Sequence, residues 1–186
     1  MLMTGAIRTR TLVAGIGSPH GDDCIGWLAA KRLKSLLPSQ AWVVTPRVPL
    51  DLLADFHPDG RCIMLDAVDA GAPRGQVLHF EWRMHANQKS FPAFLHRVRG
   101  STHDWGLAAT LELAAALGRC PETIALLGIE CGPGSMTNPQ QQSTTETGAR
   151  GEQRIPWDLD QPLQALVQQV FQLWTFWEQQ GARMRD

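Results

Sequence analysis

"TLVAGIGSPHGDDCIGWLAAKRL" (Thr11–Leu33) decides the fold. Its first part, "TLVAGIG" (11–17), is a short, continuously apolar run ending in glycines, which reads as a buried strand. From Cys24 the period changes. Ile25, Leu28, Ala29, Arg32, Leu33 and Leu36 recur at helical spacing, Arg32 being the polar member, and Pro38 ends the helix. A buried strand passing to an amphipathic helix through a glycine loop is the opening of an α/β unit. Between the two stand Asp22 and Asp23. A helix start is served by one capping carboxylate, so the second is available for chemistry. Asp22 is read as the cap and Asp23 as the inward-facing carboxylate.

The pattern continues outward from this unit. "AWVVTPR" (41–47) reads as a second strand and "VPLDLLADF" (48–56) as a short helix. "RCIMLDAVDAG" (61–71) is a third strand, apolar on both faces until Asp66. "GQVLHFEW" (75–82) is a fourth, able to pair with the third as a hairpin. "STHDWGLAATLELAAALG" (101–118) is a helix that Ser101 or Thr102 can cap and Gly118 can stop. "TIALLGIECG" (123–132) is a fifth buried strand, and 158–180 an amphipathic helix. Within that last helix Phe171, Trp174 and Trp177 have helical spacing and read as core or partner-facing surface. Continuously apolar strands alternating with helices predict an α/β three-layer sandwich. Its twisted sheet of about five strands is mostly parallel, with helices on both faces. The 186 residues suit a single domain, 1–186, with a polar stretch at 133–154 expected to be a mobile loop.

Composition narrows the function. With 17 basic and 18 acidic side chains the net charge is −1, which argues against a nucleic-acid surface. No apolar run reaches the roughly 18 residues of a membrane span. The N-terminal apolar stretch is too short for a signal peptide and leads straight into a strand, so a cytoplasmic protein is expected. Cys24, Cys62, Cys120 and Cys131 show no CxxC spacing, so reduced, mostly buried thiols are expected rather than a zinc site or a disulfide framework.

In sheets of this kind sites gather at the carboxyl ends of the strands. Asp22 and Asp23 follow the first strand, Asp66 and Asp69 end the third, and His103 and Asp104 open the helix at 101. Two or three carboxylates with one imidazole make an oxygen and nitrogen site for a divalent metal such as Zn, Ni or Mn. Taken singly, each residue has a plainer role: a cap, a carboxylate satisfying loop N–H groups, a solvated first-turn histidine. His20 lies in the glycine loop and is left open, whereas His57, His79, His85 and His96 read as structural or solvated. "GIGSPHGDD" is a poor nucleotide fingerprint. Its third glycine position holds His20, and two carboxylates stand where a pyrophosphate would dock. No GxSxG occurs, and Ser18 precedes a proline with no evident base, so a serine hydrolase is poorly supported.

The ordered set "GIGSPHGDDCIG", "CIMLDAVDAGAPRG", "STHDWGLAATLEL" and "IALLGIECGPG" resembles the [NiFe]-hydrogenase maturation endopeptidases from about Thr11 to the last helix. The resemblance implies a twisted sheet flanked by helices. It further implies an endopeptidase that removes a C-terminal extension from the hydrogenase large-subunit precursor after nickel insertion. The family's metal-binding positions fall on Asp23, Asp66 and His103, which would recognise nickel supplied by the precursor. A divalent metal can also occupy such a site in the isolated protein. The resemblance names no cleavage nucleophile; water is expected. Two departures stand out. Many members carry glutamate at the position of Asp23, and many have "DGGT" where this chain reads "TPRVPLDLLADF". The competing reading is a non-catalytic nickel-binding chaperone or sensor on the same scaffold.

Overall fold

The computed structural model describes residues 11–18, 21–38, 41–83, 102–132 and 158–183. They form a five-stranded sheet: β1 (Thr11–Gly15), β2 (Trp42–Val44), β3 (Arg61–Val68), β4 (Val77–Arg83) and β5 (Thr123–Glu130), in the order β2-β1-β3-β5-β4. The described helices are α1 (Ile25–Leu36), α2 (Thr102–Ala116) and α3 (Asp160–Arg183). The expected fold class is what is found: β2, β1, β3 and β5 run parallel and β4 is antiparallel at the edge.

The sheet divides the core into two apolar layers. Val13, Ile63, Leu65, Ala67, Leu127 and Ile129 face one way, against Ile25, Ala29 and Leu33 of α1 and Leu163, Leu166, Val170 and Trp177 of α3. Leu12, Ala14, Cys62, Met64, Ile124 and Leu126 face the other way, against Leu107, Leu111 and Ala114 of α2 and Leu52 and Phe56 beside a 3-10 turn at Pro49–Ala54. The three central strands are apolar on both faces because both faces are covered. Of the aromatic cluster in α3, Trp177 is core, Trp174 half-buried and Phe171 46% exposed. Arg61 donates to the Trp177 carbonyl and lies over its ring, which fastens the end of α3 to the start of β3.

One pairing differs from expectation. β4 pairs with β5, with Leu78 opposite Gly128, and does not form a hairpin with β3. Both edges of β3 are already occupied by β1 and β5, so the free edge lies beyond β5. β4 suits an edge: His79, Glu81 and Arg83 are exposed while Trp82 is buried. The short helix expected at 48–56 is the 3-10 turn. Its start is held by Asp51 Oδ2, which accepts the N–H groups of Arg47 and Val48 at 3.2 and 3.3 Å. Gly118, at φ +65°, ends α2 as expected, and Arg119 N–H reaches back to the Ala114 carbonyl at 2.8 Å. Among the described residues no helix is long and apolar enough to cross a membrane. The stretch 133–154 and His20, His85 and His96 lie outside the described residues.

Candidate active site

Parallel strands bring their carboxyl ends to one rim, and the candidate residues follow from what happens there. Past β1, Ile16 N–H is donated to the Leu65 carbonyl at 2.8 Å, and Ser18 N–H to the Asp23 carbonyl at 3.2 Å. Gly17, at φ +128°, allows this tight return: a Cβ there would strike the Asp23 carbonyl. The chain then enters a 3-10 turn, Gly21–Cys24, that runs into α1. Gly26 lets the first turn of α1 lie directly on the sheet, because its Cα faces the carbonyl oxygens of Ile16 and Leu65. The turn carrying Asp22 and Asp23 is thus laid over the exits of β1 and β3, and Asp66 is the next residue along β3.

The structure departs from expectation at the cap. The N-cap of α1 is Cys24, with no side-chain cap bond, so Asp22 is not the cap. Both aspartates sit one turn earlier, and Asp22 is the deeper, 5% exposed, while Asp23 is half-buried with its Oδ1 buried. The cause is the 3-10 turn, which prolongs the helix ahead of α1. Both carboxylates then meet the positive end of the helix dipole, which favours anions.

Asp66 is 7% exposed within β3. Its Oδ1 accepts the Ala67 N–H at 2.8 Å, the plain structural role, and its position at the rim leaves a second role open. By strand alternation it lies on the α2 side, opposite Gly128. α2 ends beside the amino-terminal rim, where Glu122 N–H bonds the Gly60 carbonyl at 3.0 Å, so its first turn lies at the carboxyl rim on the Asp66 side. His103 is in that first turn. Its side chain and that of Asp104 lie outside the described residues. Among the described residues no three His, Cys, Asp or Glu side chains form a metal-holding group, and the third member of the set Asp23, Asp66 and His103 is not among them.

Cys131 lies just past β5 and is buried. Burial pushes its thiol well above the ordinary range, with Asp22 and Glu130 raising it further, Arg74 opposing, and Asp66 adding to the rise. Cys24 is raised mainly by its own burial and then by Asp22. All four cysteines are free thiols; Cys62, Cys120 and Cys131 are buried, as expected of them. His57 and His79 are exposed, in keeping with solvated roles.

Two rim residues were not apparent from the sequence. Glu130, fully buried, and Arg74, whose Nε–H is donated to the Cys131 carbonyl at 2.7 Å, hold the loop that follows β3. The one local signal is a carboxylate ending the apolar run "TIALLGIE".

Comparison with known proteins bears on this arrangement. The family model for hydrogenase maturation protease (HycI) matches residues 48–142, a span that contains Asp66 and His103 and half of the chain. No curated protein sequence matches. Among solved structures, the hydrogenase maturating endopeptidase HybD from E. coli superposes with a TM-score of 0.63 at 20% identity, over 87% of this chain and 89% of that one. The [NiFe] hydrogenase maturation protease HybD from Thermococcus kodakarensis gives 0.59 at 19% identity, over 88% and 98%. The hydrogenase 2 maturation peptidase from Thaumarchaeota archaeon SCGC_AB-539-E09 gives 0.53 at 23%, over 88% and 97%. At these identities the structural likeness speaks to the fold.

Proposed function

The chain belongs to the hydrogenase maturation protease family, and on that premise we propose that it is the endopeptidase that removes the C-terminal extension of a [NiFe]-hydrogenase large-subunit precursor after nickel insertion. The observation that carries the reading is the rim itself. Two backbone hydrogen bonds and Gly26 lay the Asp22–Asp23 turn over the exits of β1 and β3, beside Asp66. His103 stands in the first turn of α2, whose other end lies by the amino-terminal rim, which supports its assignment to this site.

Nickel belongs to the substrate in this proposal. The precursor presents it on its own thiolates, and Asp23, Asp66 and His103 offer hard oxygen and nitrogen donors that complete its coordination. Asp23 reaches less far than a glutamate by one methylene. Gly17 and Gly26 let its turn dock tightly on the strand exits, which supports ligation by the shorter side chain. Three donors on an open rim bind a free ion weakly, whereas precursor docking and metal contact reinforce each other through effective concentration. Recognition thereby becomes a check that nickel is present. Nickel held there would supply Lewis acidity next to the scissile peptide, with water as the nucleophile. The cytoplasm, where precursor and reduced thiols coexist, is the compartment that fits.

The experiment is to incubate the protein with nickel-loaded and with nickel-free precursor and read the loss of the extension by intact mass. Cleavage of the loaded form alone is expected. Equal cleavage of both removes nickel recognition. Cleavage of neither, together with submicromolar nickel binding by the isolated protein in calorimetry, establishes the carrier reading instead.

A further inference from the structure

Glu130 ends an otherwise apolar strand with zero exposure, and a carboxylate in that position has to be matched by donors. Among the described residues its donors are main-chain N–H groups. Oε2 accepts the N–H groups of Ala70 at 2.8 Å and Ala72 at 3.3 Å, and Oε1 accepts that of Gly132 at 2.9 Å. Its own backbone joins the same segment: Glu130 N–H is donated to the Gln76 carbonyl at 2.9 Å, and its carbonyl accepts the Gly75 N–H at 2.8 Å. One residue therefore holds the loop after β3 and the exit of β5 together. Arg74, in the middle of that loop, fastens it a second time through the Cys131 carbonyl.

The location of this clamp gives it a use. In the parallel register Asp66 stands opposite Gly128, and Val68 opposite Glu130. Alternation puts Asp66, Val68 and Glu130 on one face, the α2 side, so Glu130 is the diagonal neighbour of Asp66. Val68 fills the space over Gly128, where any Cβ would collide with it, so the step between the two carboxylates is packed solid. A carboxylate suits the clamp because the groups aimed at it among the described residues are N–H donors. Glutamine keeps one acceptor oxygen and turns an NH2 against the remaining donors.

We propose that Glu130 is a positioning residue for the cleavage reaction: by clamping the Ala70–Gln76 loop and the β5 exit, it fixes the rim beside Asp66 in the geometry that meets the precursor. The inference rests on the peptidase reading above. It predicts that the clamp governs the catalytic step more than precursor docking, because it sets the placement of Asp66 and leaves the outer surface intact.

The test uses Glu130→Gln and Glu130→Asp on the full chain, the latter keeping the charge while shortening its reach. Cleavage of nickel-loaded precursor is measured at saturating and subsaturating concentrations, normalised to the folded fraction from circular dichroism. Hydrogen exchange is followed at Ala70, Ala72 and Gly132. The expected result, in whichever variant folds, is a kcat at least tenfold lower, KM within about twofold, and faster exchange at those amides. A folded variant that cuts at the wild-type rate overturns the inference alone. A loss of rate that tracks only the folded fraction overturns it in favour of a purely structural clamp. Wild-type protein that leaves the precursor whole overturns the peptidase reading and this inference with it.

Discussion

Ile16 donates its N–H to the carbonyl oxygen of Leu65 at 2.8 Å. That bond carries the pairing of β1 with β3 one residue past the end of β1, and the next residue on β3 is Asp66. The loop leading to Asp22 and Asp23 is thereby anchored to the backbone that presents Asp66. Two stretches of chain some forty residues apart in sequence share one origin at the rim.

Gly26 is the packing counterpart of that bond. Any side chain there is driven into the carbonyl oxygens of Ile16 and Leu65, which are backbone and cannot swing aside. Gly26→Ala is expected to destabilise the protein by about 3 kcal/mol or more through overpacking, despite the better helix propensity of alanine. Urea unfolding checks this. An unchanged midpoint would mean that α1 does not dock on the strand exits.

Asp66 separates the structural role from the proposed one. Asp66→Asn keeps an acceptor for the Ala67 N–H, so the fold is expected to persist, with a thermal midpoint within a few degrees of wild type. Nickel-dependent processing is expected to fall at least 100-fold, because a neutral amide is a poor metal ligand. His103→Ala is expected to abolish processing as well. Trimming at the normal rate by either variant contradicts the ligand assignment.

The thiols make stability depend on pH in one direction. Burial pushes Cys120 from its ordinary value of 9.0 up to about 12, and Cys62 and Cys131 are pushed higher still. Above pH 9 the unfolded chain releases thiol protons that the folded chain retains. Folded protein then binds more protons than unfolded, and stability falls as pH rises. The contribution is complete below about pH 9 and is lost progressively toward 12 for Cys120. The urea midpoint is expected to be lower at pH 10 than at pH 8, and thiol reagents at pH 8 to label Cys62, Cys120 and Cys131 only on unfolding. Rapid native labelling of those three would contradict their burial.

Much of the fold was legible because β1, β3 and β5 are apolar on both faces, which only a covered parallel sheet explains. α2 was legible through its Gly118 stop. The pairing of β4 was not. Alternation of His79, Glu81 and Arg83 with Leu78, Phe80 and Trp82 marks a half-exposed strand but says nothing about which neighbour it joins. Asp22 was misread as the cap because a 3-10 turn prolongs the helix ahead of α1 and moves the N-cap to Cys24. The rim position of Asp66 was legible as a carboxylate after an apolar run. Glu130 carries the same signal, yet its partners Ala70 and Ala72 lie 60 and 58 residues away, where no local pattern points to them.

The most direct measurement is the nickel X-ray absorption edge of loaded precursor, alone and in complex with this protein. The account predicts that binding adds oxygen and nitrogen neighbours to a sulfur-rich nickel shell, and that Asp66→Asn and His103→Ala each remove part of that gain. A nickel shell unchanged on complex formation, while the extension is still cleaved, would contradict the claim that the rim of Asp23, Asp66 and His103 reads the metal.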